Sequence, residues 1–363
     1  MKTHSSNISL YIHYPFCKSK CPYCDFNSFC FTIDEEKLIN AYQKELDFYG
    51  EILKNRTIET IYFGGGTPIL MSEKLLESIL NKISCDGEIS MEANPNSISY
   101  EKLKNFKNIG INRLSIGIQS LNDKDLKFLG RTHNRAEGLK AIENARKIFK
   151  DRYSIDMIYS RPNQNLQEWG DELQEAITLS PHHISAYQLI IEKGTMFARQ
   201  KIQEQNENLS AKFYNTTNKI MEKNGLNFYE ISNYAQFNYE CKHNIVYWKS
   251  GEWIGIGAGA HGRLNVGNKR YAIQNVKNPL QWVKKVKTNG NGISVKTKLN
   301  ADDIRSEKIL MGLRTKQGIN MNGLELKNID MLSKEGLVVL NKDWISLTNK
   351  GFLLLNKVVE KLI

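Results

Sequence analysis

Three cysteines fall within eight residues, as Cys17-Lys-Ser-Lys-Cys21-Pro-Tyr-Cys24. Thiolates are the natural ligands of iron–sulfur clusters. Three thiols in one short loop can take three corners of a cubane, leaving the fourth iron open to a small chelating molecule. Cys30 is near in sequence but does not share the spacing. The aromatics Phe16, Tyr23, Phe26 and Phe29 surround the loop and would shield a cluster from water. Zinc is the alternative. Zinc sites usually add a second Cys or His pair at set spacing, and none is present here. On the residues alone both metals stay open, with the cluster preferred.

Further candidates follow along the chain. Gly64-Gly65-Gly66-Thr67-Pro68 can bring backbone close to a ligand and expose its N–H groups. Glu92 in Glu92-Ala-Asn-Pro95 could bond hydroxyls, or be a solvated strand end. Arg131, in Gly130-Arg131-Thr132-His133, can pair with a carboxylate. Later comes His243-Asn244-Ile-Val-Tyr247-Trp248. Histidine is a common axial haem ligand, and the two aromatics could stack on a porphyrin. Equally, His243 could cap a loop while the aromatics fill a core. His261, in Gly255-Ile-Gly-Ala-Gly259-Ala-His261-Gly262, is a rival ligand. That Gly-rich run lacks the βαβ surroundings of a dinucleotide fingerprint.

Such residues need a frame. Strands are expected at Ser9–Tyr14, Ile58–Phe63, Glu88–Glu92, Arg113–Ile118, Ser154–Tyr159 and His183–Leu189, each short and apolar as buried parallel strands are. Helices are expected between them, at Glu35–Leu53, Ser72–Ile83, Tyr100–Phe106, Arg135–Ile148 and Leu166–Thr178. Repeated strand–helix units imply a parallel sheet, and this many fit a complete or partial (β/α) barrel. A barrel places chemistry at the carboxyl ends of its strands, where the candidates up to Asp156 fall. A helix at Leu209–Lys223 and a strand near Asn227–Ile231 follow. Asn233–Arg263 reads as a functional loop region. From Ala301 the texture changes: helices at Asp302–Leu313 and Asn322–Glu335, a hairpin of Leu337–Leu340 and Trp344–Leu347, and a last helix at Asn349–Leu362. The division expected is residues 1–235, a connecting region 236–300, and a small winged-helix-like domain 301–363.

Composition is that of a globular chain of 363 residues with a net charge of +11. The charge favours acidic partners, but no block of like charge marks a nucleic-acid tail. Met1–Ser9 is polar, without the apolar core of a signal peptide. No apolar run is long enough to span a bilayer. A cytosolic location is expected, where thiols stay reduced.

The cysteine loop at the end of the first strand resembles the CxxxCxxC hallmark of the radical S-adenosylmethionine enzymes. The resemblance implies an α/β fold, a partial (β/α) barrel of that type. It also implies a 4Fe–4S cluster on Cys17, Cys21 and Cys24. The open iron would bind the amino and carboxylate groups of S-adenosylmethionine and lead to its cleavage into a 5′-deoxyadenosyl radical. On the same resemblance, Gly65, Gly66 and Thr67 hold the methionine amino group and Glu92 the ribose. Gln119, Arg131, Asp156, Tyr11 and Tyr23 complete the cofactor contacts.

The whole chain resembles the oxygen-independent coproporphyrinogen dehydrogenase group, through Tyr11-Ile-His-Tyr-Pro-Phe-Cys17 and the C-terminal part. The dehydrogenase branch carries a fourth cysteine two residues after the third, where this chain has Phe26. Cys24-Asp-Phe-Asn-Ser28 and the HNxxYW run resemble its haem-chaperone branch instead. That implies haem as a ligand, at His243, Tyr247 and Trp248, and apo-haem proteins, such as respiratory ones, as acceptors. The cluster and S-adenosylmethionine would regulate dimerisation or transfer. A homodimer and peripheral membrane contact are compatible with this, and nucleic acid is not expected. The alternative function is the coproporphyrinogen III dehydrogenase itself, and a tRNA-modifying enzyme is more remote. Two departures stand out. The group's usual Gly-Leu before a proline is Ser160-Arg161 here, and Asn96-Ser97 replaces the Gly-Thr after its EANP motif.

Overall fold

The structure, a computed structural model, describes residues 7–180 and 182–363. The first six residues of the polar leader lie outside the described residues. The apolar segments fold as β1 (Asn7–Tyr14), β2 (Thr57–Gly65), β3 (Glu88–Ala93), β4 (Arg113–Gln119), β5 (Tyr153–Tyr159) and β6 (His183–Gln188). Each pairs in parallel with the next. Most of their residues are buried on both faces, which is why they show apolar runs instead of alternation. Helices cover the outside, and their starts are fixed by side-chain caps. Asp34, Ser72 and Ser99 each accept a first-turn N–H, and Asn134 and Asn165 form capping boxes.

Two edges extend this sheet. β7 (Asn227–Glu230) and β8 (Asn233–Ala235) add antiparallel beyond β6. β9 (Trp253–Ile256) runs parallel beside β1. β10 (His261–Val266), β11 (Lys269–Asn275) and β12 (Ile293–Lys298) follow it antiparallel. The result is one 12-stranded sheet whose ends do not pair with each other, a partial barrel. Residues 236–300 therefore carry regular structure, and the loop expected over Asn233–Arg263 is corrected. It holds β8, a helix at Lys242–Trp248, β9 and the start of β10. Its order comes from pairing with strands far away in sequence, which local composition does not reveal. The helix expected over Glu35–Leu53 breaks after Phe48, because Tyr49 buries its ring and its N–H closes a tight turn onto the Leu46 carbonyl.

The edge beyond β9 is locked by a buried carboxylate. Glu45 accepts from the N–H groups of Gly257 at 2.8 Å and Gly292 at 2.7 Å, from Trp282 Nε1 at 3.0 Å and from Asn275 Nδ2 at 3.0 Å. Four donors and no other acceptor suit a carboxylate. Asn27, three residues past Cys24, donates to the carbonyls of Ala258 at 3.0 Å and Lys277 at 2.9 Å. The cysteine loop is thus fastened to this edge.

The C-terminal part has helices Ala301–Gly312 and Leu326–Lys334 and a three-stranded antiparallel sheet, Ile319–Asn320, Trp344–Leu347 and Val338–Asn341 in spatial order. The last helix divides at Leu354. Leu313, Ile329, Ile345 and Val358 fill a core of their own, joined by Tyr214 from the barrel.

Candidate functional site

β1 ends at Tyr14 and the chain enters the cysteine loop. Two backbone bonds pin that loop at its base: Cys17 N–H to the Phe29 carbonyl at 3.0 Å and Phe29 N–H to the Pro15 carbonyl at 2.8 Å. Gly66 N–H reaches the Tyr14 carbonyl at 2.7 Å and Thr67 N–H the Phe16 carbonyl at 2.9 Å. A Cβ on Gly66 would sit 2.6 Å from the Phe16 carbonyl oxygen, so only glycine allows this seam. Burial, the largest effect on each, pushes the Cys17 and Cys24 thiols up. Cys17, Cys21 and Cys24 follow one another round this loop, and a 4Fe–4S cluster would take each thiolate on a different iron.

The three thiols line a cavity of about 410 Å³ that runs down the inside of the barrel. Tyr23, Gly66, Thr67, Glu92, Gln119, Arg131 and Asp156 line it too, so residues separated by up to 139 positions meet in one place. Glu92 accepts from Tyr62 Oη at 2.9 Å and from Gly65 N–H at 3.2 Å. Burial pushes its carboxyl up to about 7, against those two bonds. Asp156 accepts from Ser115 Oγ at 3.0 Å, and burial raises it to about 6. Arg131 donates to Asn94 Oδ1 at 2.6 Å, to the Gly117 carbonyl at 2.8 Å and toward Cys21 Sγ at 3.4 Å. Its Nε and the Oε1 of Gln119 are buried without a partner. Gln119 stands at a φ of +68°, a left-handed backbone that turns its side chain at the end of β4. Unpartnered polar atoms beside a thiol loop suit a small zwitterionic ligand such as S-adenosylmethionine.

Tyr11 and Gly65 stand behind this wall. Tyr11 bonds His13 Nδ1 at 3.0 Å and its ring stacks on Tyr62. Tyr62, Arg113 and His183 are lining residues that the motifs did not single out. A signal existed for each. Tyr62 shares a face of β2 with Gly64 by the period of two, and Arg113 and His183 open apolar strands, where a charge or imidazole is out of place.

His243, Tyr247 and Trp248 do not join the cluster end. Their helix, Lys242–Trp248, lies across the amino end of the barrel. Lys242 N–H bonds Glu88, the first residue of β3, at 2.9 Å, and His243 Nδ1 meets Thr60 Oγ1 on β2 at 2.7 Å. His243 Nε2 meets Tyr247 Oη at 2.7 Å. The imidazole is fully buried, and that burial lowers it to about 3. Both ring nitrogens are therefore engaged, and the imidazole belongs to a helix where a functional loop region was expected. His261 is exposed at the start of β10, and its carbonyl accepts from Trp253 Nε1 at 2.9 Å. Cys241 and Asn244 face the barrel cavity, and Trp248 faces outward. The ring of Tyr62, which bonds Glu92, stacks on His243 with centroids 5.2 Å apart. One column of side chains thus joins the cofactor wall to this helix.

The family model that matches is the Radical SAM superfamily, over residues 11–176. The chain is 36% identical to a heme chaperone HemW of Buchnera aphidicola, with 97% of each chain covered. To a HemW of Haemophilus influenzae it is 34% identical, again over 97% of each chain. It is 30% identical to the mitochondrial radical S-adenosyl methionine domain-containing protein 1 of Danio rerio, covering 99% of this chain and 88% of that one. The solved coproporphyrinogen III oxidase of Escherichia coli superposes with a TM-score of 0.83 at 22% identity, over 98% of this chain and 90% of that one. That likeness is one of fold. The chain belongs to the radical S-adenosylmethionine superfamily. Within it, full-length identity above 30% puts it with the heme chaperone HemW proteins.

Proposed function

We propose that this protein is a haem chaperone that carries a 4Fe–4S cluster and S-adenosylmethionine, and passes haem to apo-haem proteins in the cytosol. The observation that carries this reading is the HNxxYW helix, which floors the cofactor cavity on one side and presents Trp248 to an open groove on the other. The names of full-length relatives support it. So does Phe26, an exposed ring where the dehydrogenase branch has a thiol. No helix among the described residues is long and apolar enough to cross a membrane.

When bound, the cluster would offer an open iron to the amino and carboxylate groups of S-adenosylmethionine. Everything else falls to the chain. Arg131 offers its unpartnered Nε to the carboxylate, carbonyls of Gly66 and Thr67 accept from the amino group, and Gly65 acts from behind the wall by holding Glu92. Glu92 and Asp156 accept from ribose and adenosine, and Tyr23 closes the wall. Glu92→Gln is expected to weaken S-adenosylmethionine about tenfold, roughly 1.4 kcal/mol. The new amide cannot accept from both Tyr62 Oη and Gly65 N–H and still serve the ribose. Calorimetry on reconstituted protein checks this, with iron content unchanged; equal affinity for both proteins would remove Glu92 from the site.

The function is tested on one sample. Reconstituted protein is assayed for haem binding and for coproporphyrinogen decarboxylation. Saturable haem binding at micromolar concentration without turnover is expected. Protoporphyrinogen formed at many turnovers per chain would return the protein to the dehydrogenase branch, and no saturable haem binding would end the chaperone reading.

A further inference from the structure

A second open cavity lies apart from the cofactor cavity. It lies at the amino end of the barrel, between the Lys242–Trp248 helix, β7 and the C-terminal unit, with a volume of about 690 Å³. Small-molecule sites commonly occupy about 300–1,000 Å³. Its apolar walls come from both units: Phe228 and Trp248 from the barrel side, Trp344 from the C-terminal sheet. Trp344 is 41% exposed, a large ring left in the open. Trp248 Nε1 is buried without a partner. Three cations, Lys249, Lys308 and Lys316, stand round it against one acid, Glu240. Lys316 Nζ already lies 5.5 Å over the Phe228 ring, so a flat apolar face and a positive charge are offered side by side.

We propose that this groove is where the protein holds haem: the macrocycle lies against Trp248, Phe228 and Trp344, and its two propionates meet Lys249, Lys308 and Lys316. The assignment rests on the haem-chaperone reading and locates its ligand. A flat ring with two carboxylates matches the pattern of aromatic walls and paired lysines better than a peptide or a nucleotide chain does. Large rings bury apolar area on aromatic faces, and charge-assisted bonds fix carboxylates at one edge.

The groove's lining has no His, Met or Cys, its Tyr229 Oη is held by His183 Nε2 at 3.0 Å and by the Cys241 N–H at 3.3 Å, and His243 beneath it spends both nitrogens on Thr60 and Tyr247. The groove therefore grips the macrocycle and leaves the iron to a ligand from the acceptor. His243 is a positioning residue, holding the helix that carries Trp248. Recognition that does not depend on iron follows, and metal-free protoporphyrin IX should occupy the same place.

The experiment titrates haem and protoporphyrin IX into full-length, cluster-reconstituted protein, read by absorbance and by quenching of tryptophan fluorescence. Both are expected to bind within about fivefold of each other and to compete. Lys308→Glu with Lys316→Glu should weaken both at least tenfold, and Trp344→Ala several-fold. Iron content and thermal unfolding monitor the integrity of each variant. The milder Lys308→Gln with Lys316→Gln, expected to weaken both in the same order, serves if reversal disturbs folding. Haem binding that is retained in all these variants would sink the groove while leaving the chaperone reading intact. Haem binding with no competition from protoporphyrin IX would do the same. A wild-type protein that binds neither would sink both. Single-stranded RNA bound in the groove and lost in these variants, with haem binding untouched, would give the groove to another ligand.

Discussion

Replacing Cys17, Cys21 and Cys24 together with Ala is expected to take anaerobically reconstituted protein from about four irons per chain to none, and from brown to colourless. The three thiols sit in one loop whose base is tied to Phe29 and whose side is tied to the second edge of the sheet through Asn27. Those anchors do not use the thiols, so the loop keeps its course in the variant and the loss is one of ligation. Circular dichroism should be unchanged. Reduced wild-type protein should change its paramagnetic resonance spectrum on adding S-adenosylmethionine, and the variant should show no such signal. One equivalent of zinc and no iron in the wild type would overturn the assignment, as would iron retained at wild-type level in the triple variant.

Arg161→Leu should destabilise the protein by about 3 kcal/mol, although leucine is the residue that the family resemblance implies there. The Arg161 side chain is 2% exposed. Its Nη1 donates to the Ile158 carbonyl at 2.7 Å, and Nη2 reaches Asp125 at 3.0 Å and Glu172 at 2.7 Å. Glu172 is itself 9% exposed, and it also accepts from Leu121 N–H at 2.7 Å at the end of β4. Leucine would fill space but leave a buried carboxylate without its cation, the costly way to break such a pair. Arg161→Lys keeps the charge but cannot reach all three acceptors, so its loss should be smaller. Urea unfolding reads the difference as a lowered midpoint with an unchanged slope. A loss under about 1 kcal/mol for Arg161→Leu would show that Glu172 is satisfied without its partner.

The neighbouring Ser160 is the other residue that departs from the Gly-Leu pattern the resemblance implies. Ser160 stands at a φ of +59°, where glycine costs least, and it bonds Ser210 Oγ at 3.0 Å. The loop keeps its shape by exchanging backbone freedom for side-chain bonds. That exchange is invisible in sequence, because Asp125, Glu172 and Ser210 come from three separate elements.

Much of the site is legible in the order of residues alone. The cysteine loop is contiguous, so its spacing by itself defines a ligand set. The Gly-Gly-Gly-Thr-Pro turn, Glu92, Gln119 and Asp156 follow strands whose apolar runs are unmistakable, and parallel strands bring their carboxyl ends to one face. Local pattern and order along the chain determined the barrel, the thiol loop and the wall beside it. The Lys242–Trp248 helix was not legible. Seven residues with no side-chain cap carry no strong helical signal, and their place is set by Thr60 and Glu88, both more than 150 positions away. Tertiary structure alone decided that His243 is buried, with its ring nitrogens on Thr60 and Tyr247. It also decided that Trp248 meets Trp344 across a groove, since a surface made by two units exists only once both have folded and packed.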